Sequence, residues 1–389
     1  MKTKQIPEDF VVEEVPLFNF KKKGKFSVYK LTKKNMDLIS SRKIIAKKFK
    51  ISPRFVYHAG IKDKIAVTTQ YVAIKNQGKK GNFNLPNISL DHVGFHDKPF
   101  KSGELKGNKF VITIRDLSAE DISKVKSNIE KLKNFGFPNY FDSQRFGEDL
   151  STGGFVAKRL MKNDYENALR LFLASSNHKS DDKNKAHVFI HKNWGKWNKC
   201  DESLTNLKGV DEDRKIIHFL EKHPKGFVIA FKLINRQKKE LMVSSYQSFL
   251  WNKCLVQLIK DNIKDILEVN YKAGKMVFYN KISNETLEYL KSKKIPMLDS
   301  KTLVKDLGIK DIINKVLEKE KISQKELKIN KMSNLFFKER ERPTVAFPEN
   351  LELISEENDN LNPDRKMIKI SFYLSKGIYA TILIKALFL

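Results

Sequence analysis

The sequence has little cysteine: two residues, Cys200 and Cys254, in 389. That excludes a disulfide scaffold, a Cys-based zinc site and an iron–sulfur cluster. It has no run of about 18 apolar residues, so no membrane-spanning helix is expected. Met1-Lys2-Thr3-Lys4-Gln5 lacks the apolar core of a secretion signal, and a soluble cytoplasmic protein is expected. Nucleotide fingerprints are missing too. Gly24-Lys25, Gly78-Lys79, Gly195-Lys196 and Gly274-Lys275 are not followed by Ser or Thr, so there is no phosphate-binding Walker loop. There is no Rossmann glycine pattern and no Gly-x-Ser-x-Gly elbow. His92/His96 and His187/His191 lie four apart, but neither pair has a persuasive third ligand nearby in sequence. No metal and no cofactor is expected.

Acidic residues are also short: 46 Asp+Glu face 75 Lys+Arg, a net charge of +29. Of the basic residues 64 are Lys and only 11 Arg, which signals a compositional bias toward Lys. Such a bias need not unbalance Lys against Asp and Glu. The excess therefore points to a polyanionic partner, most often nucleic acid.

What is present fits a folded chain. Some 40% of residues are apolar and 27 are Phe, enough for two or three cores. The charge is uneven: +14 over residues 1–150, +16 over 151–344 and −1 over 345–389. The tail reads as two strands, Met367 to Leu374 and Ile378 to Leu389, around the turn Ser375-Lys376-Gly377. The second is almost continuously apolar, as a strand buried on both faces would be. That tail needs partner strands from elsewhere, and the first region offers strand patterns at Phe26 to Leu31, Ala66 to Lys75 and Phe110 to Ile114. Helical spacing appears at Met36 to Phe49, Ser118 to Phe135, Ala157 to Ser175, Ser245 to Ile259 and Asp311 to Lys319. Met276 to Tyr279 suggests a strand, and Lys21 to Lys25 and Asn177 to Lys185 read as solvated loops. The simplest topology joins the first region and the tail into one domain, with the middle as an insertion.

One segment carries chemistry: Ala59-Gly60-Ile61-Lys62-Asp63-Lys64-Ile65-Ala66-Val67-Thr68-Thr69-Gln70. Its glycine-containing turn displays one carboxylate between two lysines, between a helix and a strand. Neighbouring cations keep a carboxylate ionised, and such a group can act as nucleophile or base. On spacing alone, a solvated Lys-Asp-Lys turn is the plainer reading.

The segment resembles the catalytic motif of the TruD family of tRNA pseudouridine synthases, and five other segments resemble that family in the same order. They are Lys4-Gln5-Ile6-Pro7-Glu8-Asp9-Phe10-Val11-Val12-Glu13, Lys106-Gly107-Asn108-Lys109-Phe110, Pro138-Asn139-Tyr140-Phe141-Asp142-Ser143-Gln144-Arg145-Phe146-Gly147, Tyr246 to Asn252, and Phe372 to Thr381. The resemblance implies an α+β fold: a pseudouridine-synthase catalytic domain with a mixed, largely antiparallel sheet at 1–150 and 345–389, and an inserted α/β TRUD domain at 151–344. It implies isomerisation of uridine to pseudouridine, at uridine 13 of tRNA, by a monomer with no metal, cofactor or membrane. Asp63 would be the essential carboxylate. Phe10 and Tyr379 would contact the substrate as aromatic faces, Asn139 as an amide, and Lys4 or Lys62 as a cation beside Asp63. Glu8, Gln70, Gln144 and Arg145 match the motifs as either contact or support. The alternatives are the same chemistry on another RNA uridine, and a non-catalytic RNA-binding or RNA-folding protein on this scaffold. Asp142, Ser375 and Ile378 depart from the family pattern at a usual Gly, Pro and small residue.

Overall fold

The computed structural model describes residues 1–75, 81–147, 150, 154–173 and 181–389. The chain divides into two compact units, Met1–Phe137 with Ala346–Leu389, and Pro138–Val345. The first boundary precedes residue 150 because Asn139, Tyr140 and Phe141 make their hydrogen bonds within the second unit.

The first unit is built on one sheet. Its strands run, edge to edge, Glu349–Asn358, Lys366–Ser375, Leu105–Leu117, Phe10–Pro16, Val67–Lys75, Phe26–Lys34, Ile88–His96 and Phe83–Leu85. Lys2–Thr3 adds to the Leu105–Leu117 strand and Val56–His58 to the Val67–Lys75 strand. Among the described residues every pairing in this sheet is antiparallel except one, in which Val11 to Glu13 run parallel to Val67 to Thr69. Apolar side chains alternate inward along these strands, as in Tyr29 and Leu31 or Val72 and Ile74. Leu38–Phe49 packs Leu38, Ile44, Ile45 and Phe49 against that face. Its N-terminus is capped by the Asp37 carboxylate, which accepts the Ser40 N–H at 2.8 Å. Ala119–Phe135 begins with a reciprocal Ser118/Asp121 capping box.

The Met367 to Leu374 strand forms, but the second tail strand does not. Ala380–Leu387 is a helix, and the Leu387 carbonyl accepts a hydrogen bond from the buried Asn128 amide. A short apolar run suits either structure, and here pairing decides. The Lys366–Ser375 strand already has Glu349–Asn358 on one side and Leu105–Leu117 on the other. No ladder beside it is open to the chain leaving the Gly377 turn, so that chain must satisfy its backbone internally. Gly377 itself takes φ +84°, which favours glycine.

The second unit is mainly helical. Arg236–Asn262 is its long central helix, and from Ser245 to Asn252 every residue is buried. A helix buried all round is a core element. The expected helix at Ala157 to Ser175 is two, Val156–Met161 and Tyr165–Leu173; residues 174–175 lie outside the described ones. Of the loop expected at Asn177 to Lys185, residues 177–180 also lie outside, and the rest starts the helix Asp181–Lys192. A hairpin, Ile266–Tyr271 with Gly274–Tyr279, supplies the expected strand. Among the described residues no helix is long and apolar enough to cross a membrane. Cys200 and Cys254 are buried free thiols.

Candidate functional site

Topology explains why two distant lysines, Lys4 and Lys33, meet Asp63. The strands Phe10–Pro16 and Val67–Lys75 run parallel, so the segments that precede them emerge at one edge of the sheet. One of those segments carries Lys4 and the other Asp63. The Phe26–Lys34 strand runs antiparallel to Val67–Lys75, pairing Lys33 with Thr68 and Lys34 with Val67, so its C-terminal end reaches the same edge.

The Asp63 carboxylate is 39% exposed, and the Lys4 ammonium lies 3.0 Å from its Oδ2. That contact is both an ion pair and a hydrogen bond, the stronger kind. Lys4 sits in the left-handed region at φ +61°, uncommon for a residue with a side chain. It is held there from both sides. Lys2 and Thr3 pair with Arg115 and Ile114, while the Asp9 carboxylate accepts the Ile6 N–H at 3.1 Å and a bond from buried Arg115 at 2.8 Å. The Lys4 ammonium also lies over the Phe10 ring, 3.9 Å from its centroid, a cation–π contact. Phe10 is buried, edge-on to Phe110, which stacks on Phe372. Phe10 therefore forms the floor on which Lys4 rests.

The loop bearing Asp63 has no regular structure but is anchored at almost every residue. The Ala59 carbonyl accepts the Gly103 N–H at 2.7 Å, and the Gly60 carbonyl accepts the buried Gln70 amide at 3.1 Å. Lys62 turns inward. Its ammonium forms an ion pair with Glu14 at 2.9 Å and donates to Asn108 Oδ1 at 2.6 Å. With Lys62 committed to Glu14 and Asn108, the ammonium on the Asp63 carboxylate is that of Lys4. Gly107 beside Asn108 is obligatory on space alone: a Cβ there would meet the Leu374 carbonyl oxygen at 2.3 Å and the Tyr373 hydroxyl at 2.4 Å. The Asp63 carbonyl is held by Lys33, which donates to it at 2.9 Å and to the Met36 carbonyl at 2.7 Å. Burial pushes the Lys33 amine down to about 8, against the pull of Asp63 and Asp37, with Lys62 adding to the fall.

Elsewhere in the first unit, Tyr379 is half-buried at the N-cap of Ala380–Leu387. Glu8 pairs with Lys34, whose hydrogen bond holds the Glu8 carboxyl below its usual range. The Ser375 carbonyl closes the tail turn by accepting the Ile378 N–H at 3.3 Å.

Asn139 belongs to the second unit and is buried there. Its amide donates to the Pro343 carbonyl at 3.0 Å, and its Oδ1 accepts from the Arg342 guanidinium at 2.6 Å. Arg342 also bonds the Asn139 and Tyr140 carbonyls and stacks 4.1 Å over the Phe141 ring. The Phe141 backbone exchanges two hydrogen bonds with the Asn252 side chain, at 2.9 and 2.8 Å. Arg145 donates to the Ser248 hydroxyl at 3.1 Å, and its backbone N–H donates the turn hydrogen bond to the Asp142 carbonyl at 2.8 Å. Gln247 and Trp251 bond the Leu298, Lys338 and Ile295 carbonyls. The Pro138 to Gly147 and Tyr246 to Asn252 motifs are thus halves of one interlocked core cluster.

Lys33 and Glu14 escaped the sequence reading. Both are charged residues at inward positions of strands, in step with Tyr29 and Leu31 and with Phe10 and Val12. A charge in phase with the core side of a strand is the signal that would have found them. Buried Asp213, 3.1 Å from His187 Nε2, lies 26 residues away in sequence and carried no such signal.

Comparison with known proteins gives a consistent result. The family model for tRNA pseudouridine synthase D (TruD) matches residues 1–387. The Probable tRNA pseudouridine synthase D 2 of Methanocaldococcus jannaschii is 36% identical, over 100% of this chain and 92% of the relative. The tRNA pseudouridine synthase D of Aquifex aeolicus is 28% identical, over 100% and 98%. The crystal structure of a tRNA pseudouridine synthase D (TruD) from Methanosarcina mazei shares the fold with a TM-score of 0.73 at 23% identity, covering 100% of this chain and 93% of that one. With the family model spanning nearly its whole length, the chain belongs to the tRNA pseudouridine synthase D (TruD) family.

Proposed function

We propose that this enzyme isomerises uridine to pseudouridine at position 13 of tRNA, with Asp63 as the essential carboxylate. The observation that carries the reading is the half-open Asp63 carboxylate, paired with Lys4 on a loop anchored at every turn. Chemistry on a nucleoside sugar or base needs an ionised group held in one place. Here the loop fixes the place, and the Lys4 ammonium holds the carboxylate by an ion pair at 3.0 Å. The reaction balances without a redox partner: C1′–N1 breaks, the base turns, C5–C1′ forms, and the proton lost from C5 is matched by one gained at N1. A uridine in folded RNA must leave its stack to reach a protein carboxylate. Tyr379 is proposed as an aromatic contact for the extruded base, with Lys4 and Phe10 as a joined platform beside it. Lys62 serves by holding the loop, through Glu14 and Asn108. Asn139 is proposed to serve by shaping the Pro138 to Gly147 segment. On this reading the first unit is the catalytic domain and the second the inserted domain, working as a cytoplasmic monomer.

The test is chemical-adduct mapping of pseudouridine in tRNA treated with purified protein. Wild type is expected to modify uridine 13 and Asp63→Asn to leave it unmodified. Modification by Asp63→Asn at the wild-type rate would reject the catalytic assignment. Modification confined to another uridine would reject the position alone.

A further inference from the structure

Lys33 is an expensive residue where it stands. It is 1% exposed, at the inward position of the Phe26–Lys34 strand, where an aliphatic side chain would pack without penalty. Its ammonium has three donors, and two go to backbone carbonyls that flank the site, those of Asp63 and Met36. The Met36 carbonyl lies just before the helix cap at Asp37, and the Asp63 carbonyl belongs to the proposed essential residue itself. One buried cation thus joins the end of a core strand, the start of a core helix and the backbone of the active loop. We propose that Lys33 is a positioning residue for the reaction: it fixes the Asp63 main chain, and with it the direction in which the carboxylate faces the target nucleoside.

This rests on the proposed role of Asp63. The loop needs such a device because it has no ladder of its own. Its other anchors act at Ala59, Gly60 and Lys62 before the carboxylate and at Ala66 after it, where the carbonyl accepts the Asn35 N–H at 3.1 Å, while Lys33 grips the carboxylate-bearing residue itself. Lys4 holds the side chain of the same residue, so Asp63 is pinned at its main-chain carbonyl and at its carboxylate by two different cations. The charged groups facing Lys33 are Asp63 and Lys62 on the loop and Asp37 at the helix cap. The amine ionises near 8, so it changes charge within a range open to assay. Stability and activity must then move in opposite directions. An amine whose folded value lies below its unfolded one favours the folded state as pH rises from about 8 toward about 10.5. Loss of the cation over the same range loosens its hold on the Asp63 carbonyl and lowers the rate.

The experiment is the single-turnover rate with saturating tRNA between pH 6.5 and 9.5, for wild type, Lys33→Met and Lys33→Arg, with tRNA affinity and thermal midpoint read alongside. Wild type is expected to lose rate above about pH 8 while its thermal midpoint does not fall. Lys33→Met should be at least about tenfold slower at pH 7, with tRNA affinity within twofold and no alkaline fall. Lys33→Arg, charged throughout, should recover much of the rate and also lack the fall. A wild-type rate flat to pH 9.5 would overturn the proposal even if neither variant folds. So would a folded Lys33→Met within twofold of wild type that keeps the alkaline fall. An active Lys33→Met beside an inactive Asp63→Asn would end this inference and leave the role of Asp63 standing. An Asp63→Asn protein as fast as wild type would remove the role on which the inference rests.

Discussion

The loop around Asp63 and the segment around Asn139 match family motifs about equally well, yet they are built in opposite ways. Asp63 has its backbone tied by Lys33 and its carboxylate left 39% exposed, with Lys4 at 3.0 Å. Asn139 has both ends of its side chain bound, to Pro343 and Arg342, inside a buried cluster with Phe141 and Asn252. A motif marks residues whose identity matters; it does not say whether they matter to the reaction or to the core. Accessibility separates the two. A buried amide with donor and acceptor both engaged has little left to offer a uracil edge, while an exposed, charge-paired carboxylate has free lone pairs.

Substitutions can break that comparison. The largest effect is expected at Asp63: Asp63→Asn should lower the rate by roughly a thousandfold or more, the scale of losing an essential group, while the thermal midpoint hardly moves. Next is the response to salt. With a net charge of +29, tRNA affinity should fall at least about tenfold between 50 and 200 mM monovalent salt, as several Lys–phosphate contacts release counterions. A flat binding response would assign the lysine excess to composition. Lys4→Met removes the cation on Asp63 and the partner of the Phe10 ring. A rate loss of about tenfold is expected, about 1.4 kcal/mol, with a smaller change in stability because its partner Asp63 is 39% exposed and the pair is screened by water. The smallest effect on chemistry, and the largest on stability, is expected at Asn139. Asn139→Ala removes one hydrogen bond from the buried Arg342 guanidinium, which keeps its bonds to the Asn139 and Tyr140 carbonyls, and one from the Pro343 carbonyl; losing the two should cost about 2 kcal/mol of unfolding free energy in a denaturant titration. If Asn139→Ala instead keeps full stability and loses rate, Asn139 is a substrate contact and the contrast between the two segments collapses.

Much of this was readable in the sequence, and the failures have physical causes. The helices at Leu38–Phe49 and Ala119–Phe135 follow from apolar spacing, whereas of the three strands offered as partners for the tail only Leu105–Leu117 pairs with it. The tail helix Ala380–Leu387 was missed because ILIKALFL is apolar enough for either structure, and tertiary pairing decided. The Lys4–Asp63 contact spans 59 residues, so spacing alone could not give it; it depends on the parallel pairing of Phe10–Pro16 with Val67–Lys75. Lys62 illustrates the limit of proximity. It adjoins Asp63 in sequence, yet its side chain points to Glu14 and Asn108. Lys33, 30 residues away, reaches the Asp63 backbone.

The most direct measurement is release of tritium from tRNA labelled at uracil C5, since formation of the C5–C1′ bond must expel that hydrogen. Wild-type protein should release it in proportion to pseudouridine formed, and Asp63→Asn should release none above background while binding tRNA with wild-type affinity. Release by Asp63→Asn at the wild-type rate would contradict the account.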